Sequence, residues 1–65
     1  MHTLKVGDII ESADAIGIYM VDVIKTIQNC TLFSAIAVDT SCEFESIGGS
    51  LNQERLTIIV PAWFY

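Results

Sequence analysis

The chain has 65 residues, 8 of them acidic and 3 basic, for a formal charge of -5, so it holds one small domain at most. A domain this short has little thermodynamic margin without a disulfide, a metal or a partner chain. With 52% apolar and 17% charged residues it is neither a disordered acidic tail nor a low-complexity segment. Asp14, Asp22, Lys25 and Asp39 interrupt every apolar run before it reaches the roughly 18 residues of a membrane helix.

The amino terminus, Met1 to Asp8, lacks the basic region, apolar core and small-residue cleavage site of a signal peptide, so a cytoplasmic location is expected. In that compartment Cys30 and Cys42 are expected as reduced, buried or half-buried thiols. Neither has a cysteine or histidine at zinc-ligand spacing, and the only histidine is His2; no metal and no cofactor are expected.

In chain order, the first predicted strand runs from Leu4 to Ile10, with Leu4 and Val6 on one face and Lys5, Gly7 and Ile9 on the other. A polar break at Glu11 to Asp14 follows, and Gly17 punctuates the approach to the next element. From Ile18 to Gln28, Tyr19, Val21, Val23 and Ile27 form a period-two apolar face broken only by Lys25, opposite Asp22, Thr26 and Gln28. A helix near residues 12–28 is the rival, because Ile16, Met20, Ile24 and Ile27 fall near a helical stripe with Ser12 as N-cap. The abundance of β-branched residues, stiff in helices and well packed on sheets, favours the strand.

Asn29-Cys30 is the expected tight connection to a returning strand over Thr31 to Thr40. That strand is apolar on both faces, Leu32, Ile36 and Val38 against Phe33, Ala35 and Ala37, and should lie centrally. Glu43 to Ile47 alternates again, with Phe44 inward if both glutamates face water, and Gly48-Gly49 ends it. Ser50 and Gln53 have capping-box spacing, so Ser50 to Arg55 is expected as one short helical turn. Leu56 to Val60 is the last strand, and Pro61, with no amide hydrogen, belongs at a strand end or sheet edge.

The fold class predicted is all-β, a single domain over residues 1–65: a five-stranded antiparallel barrel or bent sheet with one helical turn before the last strand. The stretch Lys5-Val6-Gly7-Asp8-Ile9-Ile10 resembles the opening strand of small SH3-like barrels, and Glu54-Arg55-Leu56-Thr57-Ile58-Ile59-Val60 resembles their closing strand. The aromatic groove that binds proline-rich ligands in true SH3 domains is not recognisable, so no site residues follow from the resemblance.

Catalytic chemistry finds little support. A nucleophile needs a base within hydrogen-bond reach, and the only imidazole is His2. Glu43 and Glu45 would lie about 6 to 7 Å apart on one strand face, a spacing seen in carboxylate pairs, but a barrel this small fills its interior with side chains. Gly48-Gly49 has no following Lys-Ser or Lys-Thr to cradle phosphate. Direct nucleic-acid binding wants clustered bases, and Lys5, Lys25 and Arg55 are far apart.

The acidic excess has two readings: a solvated face that keeps the chain soluble, or carboxylates that meet a basic surface on a protein partner. Small acidic phage-encoded inhibitors, including several anti-CRISPR and anti-restriction proteins, are similar in size and charge, and that similarity implies DNA mimicry. The candidate partner-binding residues are Glu11, Asp14, Asp22, Asp39, Glu43 and Glu45, with Trp63 and Tyr65 as anchors. The aromatic tail Trp63-Phe64-Tyr65 either plugs one end of the core or stands exposed as such an anchor. The expected function is a non-enzymatic acidic protein that docks on a basic surface and inhibits a nucleic-acid-binding, host-defence type complex. The alternative is an SH3-like structural subunit of a phage or multiprotein assembly that self-associates through strand edges and the aromatic tail.

Overall fold

β-Branched residues crowd the chain from residue 9 onward, and in the computed structural model, which describes residues 3–51 and 55–64, they form strands. Among these residues, β1 (Ile9–Ser12), β2 (Ala15–Ile27), β3 (Cys30–Ala37), β4 (Ser46–Ser50) and β5 (Leu56–Val60) make one antiparallel sheet in the order β4-β3-β2-β1-β5. A 3-10 turn, Ala62–Phe64, follows Pro61, which stands directly after β5 as its missing amide hydrogen demands. The fold is all-β. The helix considered near residues 12–28 does not form, because seven β-branched side chains between Ile16 and Ile27 commit that segment to a 13-residue strand.

The bends in β2 decide which side chains meet. Its pairing with β3 slips between Val21 and Val23, leaving Asp22 as a bulge. Before the bulge the odd residues Tyr19 and Val21 point inward and are fully buried; after it the even residue Ile24 packs against the core opposite Phe33. Val23 and Ile27, expected on the Tyr19 face, therefore lie on the opposite face and are exposed. The hairpin turns at Gln28-Asn29, both at positive φ (49° and 66°), the left-handed geometry that matches strand twist in a two-residue loop. Cys30 is thus the first residue of β3 rather than part of the turn, and it is exposed, not buried or half-buried; Cys42 is half-buried, and both thiols are free.

Other boundaries also move. The first strand begins at Ile9 rather than Leu4, because the preceding residues turn at Gly7 (φ 98°) around Asp8. Leu4 is buried while Val6 is exposed, so they do not share a face. β3 stops at Ala37, and β4 occupies Ser46–Ser50 instead of Glu43 to Ile47. β4 runs through the glycines expected to end it: a Cβ on Gly48 would sit 2.6 Å from the Phe33 carbonyl oxygen, so the close strand approach needs a residue without a side chain. Of the expected helical turn, Ser50 belongs to β4 and Arg55 is in 3-10 conformation just before β5; residues 52–54, with the capping glutamine, lie outside the described residues.

Leu4, Ile10, Tyr19, Val21 and Ala35 form the core, with Phe33, Ile47, Leu56 and Ile58 packed against it. Each large side chain so buried contributes on the order of 1.5 to 3 kcal/mol. Asp8 is buried among them with its charge held by backbone donors: its carboxylate accepts the amide of Lys5 at 2.8 Å and that of Ala62 at 2.6 Å. It thereby ties the 3-10 turn after β5 to the approach to β1, while Val21 N–H donates to the Asp8 carbonyl at 2.9 Å. The Tyr19 hydroxyl donates to the Ile16 carbonyl and accepts the Phe44 amide, so this buried ring carries a satisfied polar tip. No described helix is long and apolar enough to cross a membrane.

Candidate functional site

The sheet has two apolar faces, and the described residues cover only one. Residues paired across strands share a face, so the register places Met20 with Ile36, Val23 with Ser34, Lys25 with Leu32 and Ile27 with Cys30 on the outer side, with Ile9 beside Met20. Val38 N–H donates to the Ile18 carbonyl at 3.1 Å and extends this face past the end of β3. Ile18, Met20, Val23, Ile27, Ile36 and Val38 are all exposed, Met20 by 36% and Ile27 by 48%, against none for Tyr19, Val21 and Ala35 directly behind them. These side chains form an apolar row on the outer side of β2 and β3.

The acidic residues divide into three groups. Asp39, Glu43 and Glu45 are brought together by the segment between β3 and β4, which folds back alongside the start of β2. Glu43 N–H donates to the Ile16 carbonyl at 2.8 Å, and its carboxylate accepts the Ile16 amide at 3.0 Å. The Cys42 thiol donates to the Ile18 carbonyl at 3.0 Å. Gly17 makes this contact geometrically feasible: its φ is 115°, and a Cβ there would lie 2.7 Å from both the backbone and the sulfur of Cys42. Glu43 and Glu45 therefore leave from bends rather than from one strand face, and the regular carboxylate spacing expected of them does not form.

Asp39 accepts both the hydroxyl and the amide of Ser41. The hydroxyl bond first, then the amide, hold its carboxyl below the ordinary value against an opposing effect of burial. Glu11 and Asp22 form the second group. Both are exposed, Glu11 opposite Thr57 on β1 and Asp22 at the bulge of β2 between Met20 and Val23.

Asp14 stands apart from both. It receives a two-pronged ion pair from Arg55, Nε donating at 2.7 Å and Nη2 to the second oxygen, which lowers the Asp14 carboxyl and raises the Arg55 guanidinium. The pair bridges the β1–β2 turn to the start of β5. It is exposed on both sides, so its contribution to stability is small.

Trp63 is 70% exposed on the 3-10 turn, which removes it as a core plug and leaves it free to act as an anchor. Tyr65, like Glu54, lies outside the described residues. Two features were not read from the sequence. Asp8 looks like one more surface acid, and only the tertiary structure gives it buried donors. The outer apolar face depends on the bulge, whose only sequence mark is Asp22 interrupting an apolar run. No group of three or more His, Cys, Asp or Glu among the described residues is placed to hold a metal ion. Comparison with known protein families, with curated proteins and with solved structures gives no match.

Proposed function

We propose that this chain is a non-enzymatic protein-binding module that docks the outer face of β2 and β3 on a partner whose apolar centre is rimmed by basic residues. The observation that carries this reading is the exposed row Met20, Val23, Ile36 and Val38, with Asp22 inside it at the β2 bulge, Glu11 on the neighbouring β1, and Asp39, Glu43 and Glu45 on the segment that follows β3. An apolar centre within a polar rim is the usual anatomy of an interface, where the centre supplies affinity and the rim steers approach and rejects like charge. Where the partner's basic surface is one that holds nucleic-acid phosphates, occupancy by this acidic rim displaces the nucleic acid, which is the inhibitory form of the reading.

A second reading, self-association of a structural subunit, is favoured by the same apolar face. Charge weighs against it: two copies would press acidic rims together, and Lys25 is the one base that the register puts on this face.

A pull-down from lysate of the producing cell, with bound proteins identified by mass spectrometry, tests the proposal when run at low and high salt with wild type, Ile36→Lys and the Glu43→Lys, Glu45→Lys double variant. The expected result is a nucleic-acid-binding protein retained by wild type at low salt, lost with Ile36→Lys and weakened by the charge reversal. The captured protein should also release labelled DNA when the wild-type chain is added. A captured set indifferent to all three changes, or concentration-dependent self-association that Ile36→Lys abolishes, would overturn it.

A further inference from the structure

Among the described residues the two edge strands, β4 and β5, do not pair, and they flank a seam. Ser46 to Ser50 from β4 and Leu56 from β5 line one cavity of about 420 Å³ whose apolar surface comes from Ala15, Phe33, Phe44, Ile47 and Leu56. The pairing of β4 with β3 fixes which backbone groups face this space. Ala37 N–H donates to the Glu45 carbonyl and Leu51 N–H to the Thr31 carbonyl, each at 2.9 Å. Antiparallel alternation then turns the N–H and C=O groups of Ser46, Gly48 and Ser50 away from β3 and toward the seam. Exposed edges are normally guarded by lysine, proline or a charged side chain. The segment Ser46-Ile47-Gly48-Gly49-Ser50 has none of these, and its small side chains leave the backbone open to close approach.

We propose that this seam is a binding site for an extended peptide segment of another protein, which adds to β4 as a further strand and places alternate apolar side chains in the cavity. The free donors and acceptors of Ser46, Gly48 and Ser50 match a peptide backbone, and the apolar lining matches every second side chain. Glu43 and Glu45 lie just before β4, so a lysine or arginine at the peptide end beside Ser46 completes the match. A second copy of β4 fits less well: Ile47 is its only large apolar side chain and is already packed against the core, so the cavity would stay unfilled. This site uses the outward edge of β4 and shares only Glu43 and Glu45 with the surface proposed on the outer face of β2 and β3.

The probe is a library of synthetic peptides of about ten residues, alternating Val, Ile or Phe with Thr and ending in Lys, screened by fluorescence polarisation against the full chain. Saturable binding is expected. N-methylation of the peptide amides facing β4 should weaken it about tenfold or more, while methylation of the alternate amides leaves it unchanged. Amide exchange at Ser46 and Ser50 should slow on binding. Ser46→Pro, which removes one outward donor and spares the bonds to β3, and Phe44→Ala, which removes part of the cavity lining, should each weaken binding; Ile36→Lys should not. Because the methylated peptides use the unaltered protein, the test stands even where a variant fails to fold. Absence of any binder below about 1 mM, binding indifferent to methylation, or protection of the same amides by self-association alone would overturn the proposal.

Discussion

The inner and outer faces of the β2–β3 hairpin are made of similar residues and differ in what covers them. On the inner face Tyr19, Val21 and Ala35 are fully buried by β1, β5 and the amino-terminal turn; on the outer face Met20, Val23 and Ile36 meet water. Apolar composition alone therefore does not identify the core of a chain this short. The face that the described elements cover holds the fold together, and the other is the face proposed for docking.

Substitutions can break that comparison, and the largest effects belong to the inner side. Ile10→Ala should lower unfolding free energy by about 2 to 5 kcal/mol in urea titration, enough to leave much of so small a domain unfolded. Asp8→Ala should be nearly as severe, roughly 2 to 4 kcal/mol, because the Lys5 and Ala62 amides lose a buried acceptor. Asp8→Asn, which keeps one acceptor oxygen, should recover part of the loss. Ile36→Ala on the outer face should change stability by no more than about 0.5 kcal/mol yet weaken partner binding about tenfold, which separates the two faces in one pair of measurements.

Gly17→Ala probes the contact between the segment carrying Asp39 and the start of β2. A Cβ there collides with the Cys42 backbone at an unfavourable positive φ, so a loss of about 1 to 3 kcal/mol is expected by thermal denaturation, with loosened protection of the Glu43 amide in hydrogen exchange. The smallest effect is electrostatic. Asp14 and Asp39 are both lowered from 3.8 in the folded chain, so the stability they supply is present above that value and is lost as pH falls through their lower folded values. Asp14→Asn and Asp39→Asn should lower the melting temperature slightly at pH 7, where the contribution is fully present, and converge with wild type in acid, flattening the limb below about pH 4.

Much of the fold was legible in the sequence because period-two alternation and β-branching agree from Ile18 to Ala37 and again from Leu56 to Val60. Where they failed, a local backbone event changed the phase: the Asp22 bulge sent Val23 and Ile27 outward, and the Gly7 turn delayed the first strand to Ile9. Gly48 and Gly49 read as a stop and instead lie inside β4: strand proximity to Phe33 demands the missing side chain at Gly48, and Gly49 has a φ of 137°. Of the acids singled out, Asp39, Glu43 and Glu45 do gather in one segment, although through bends rather than strand spacing. Asp14 is occupied by Arg55, a partner 41 residues away that no local pattern reveals.

The most direct test of the outer face as the docking surface is photo-crosslinking in the producing cell, with a photoreactive amino acid placed in turn at Met20, Ile36 and the hairpin-tip residue Asn29. A discrete adduct with one heterologous protein from Met20 and Ile36, absent from Asn29 and reduced by Glu43→Lys with Glu45→Lys, is the predicted result. Adducts formed equally from Asn29, or only with a second copy of this chain, would contradict it.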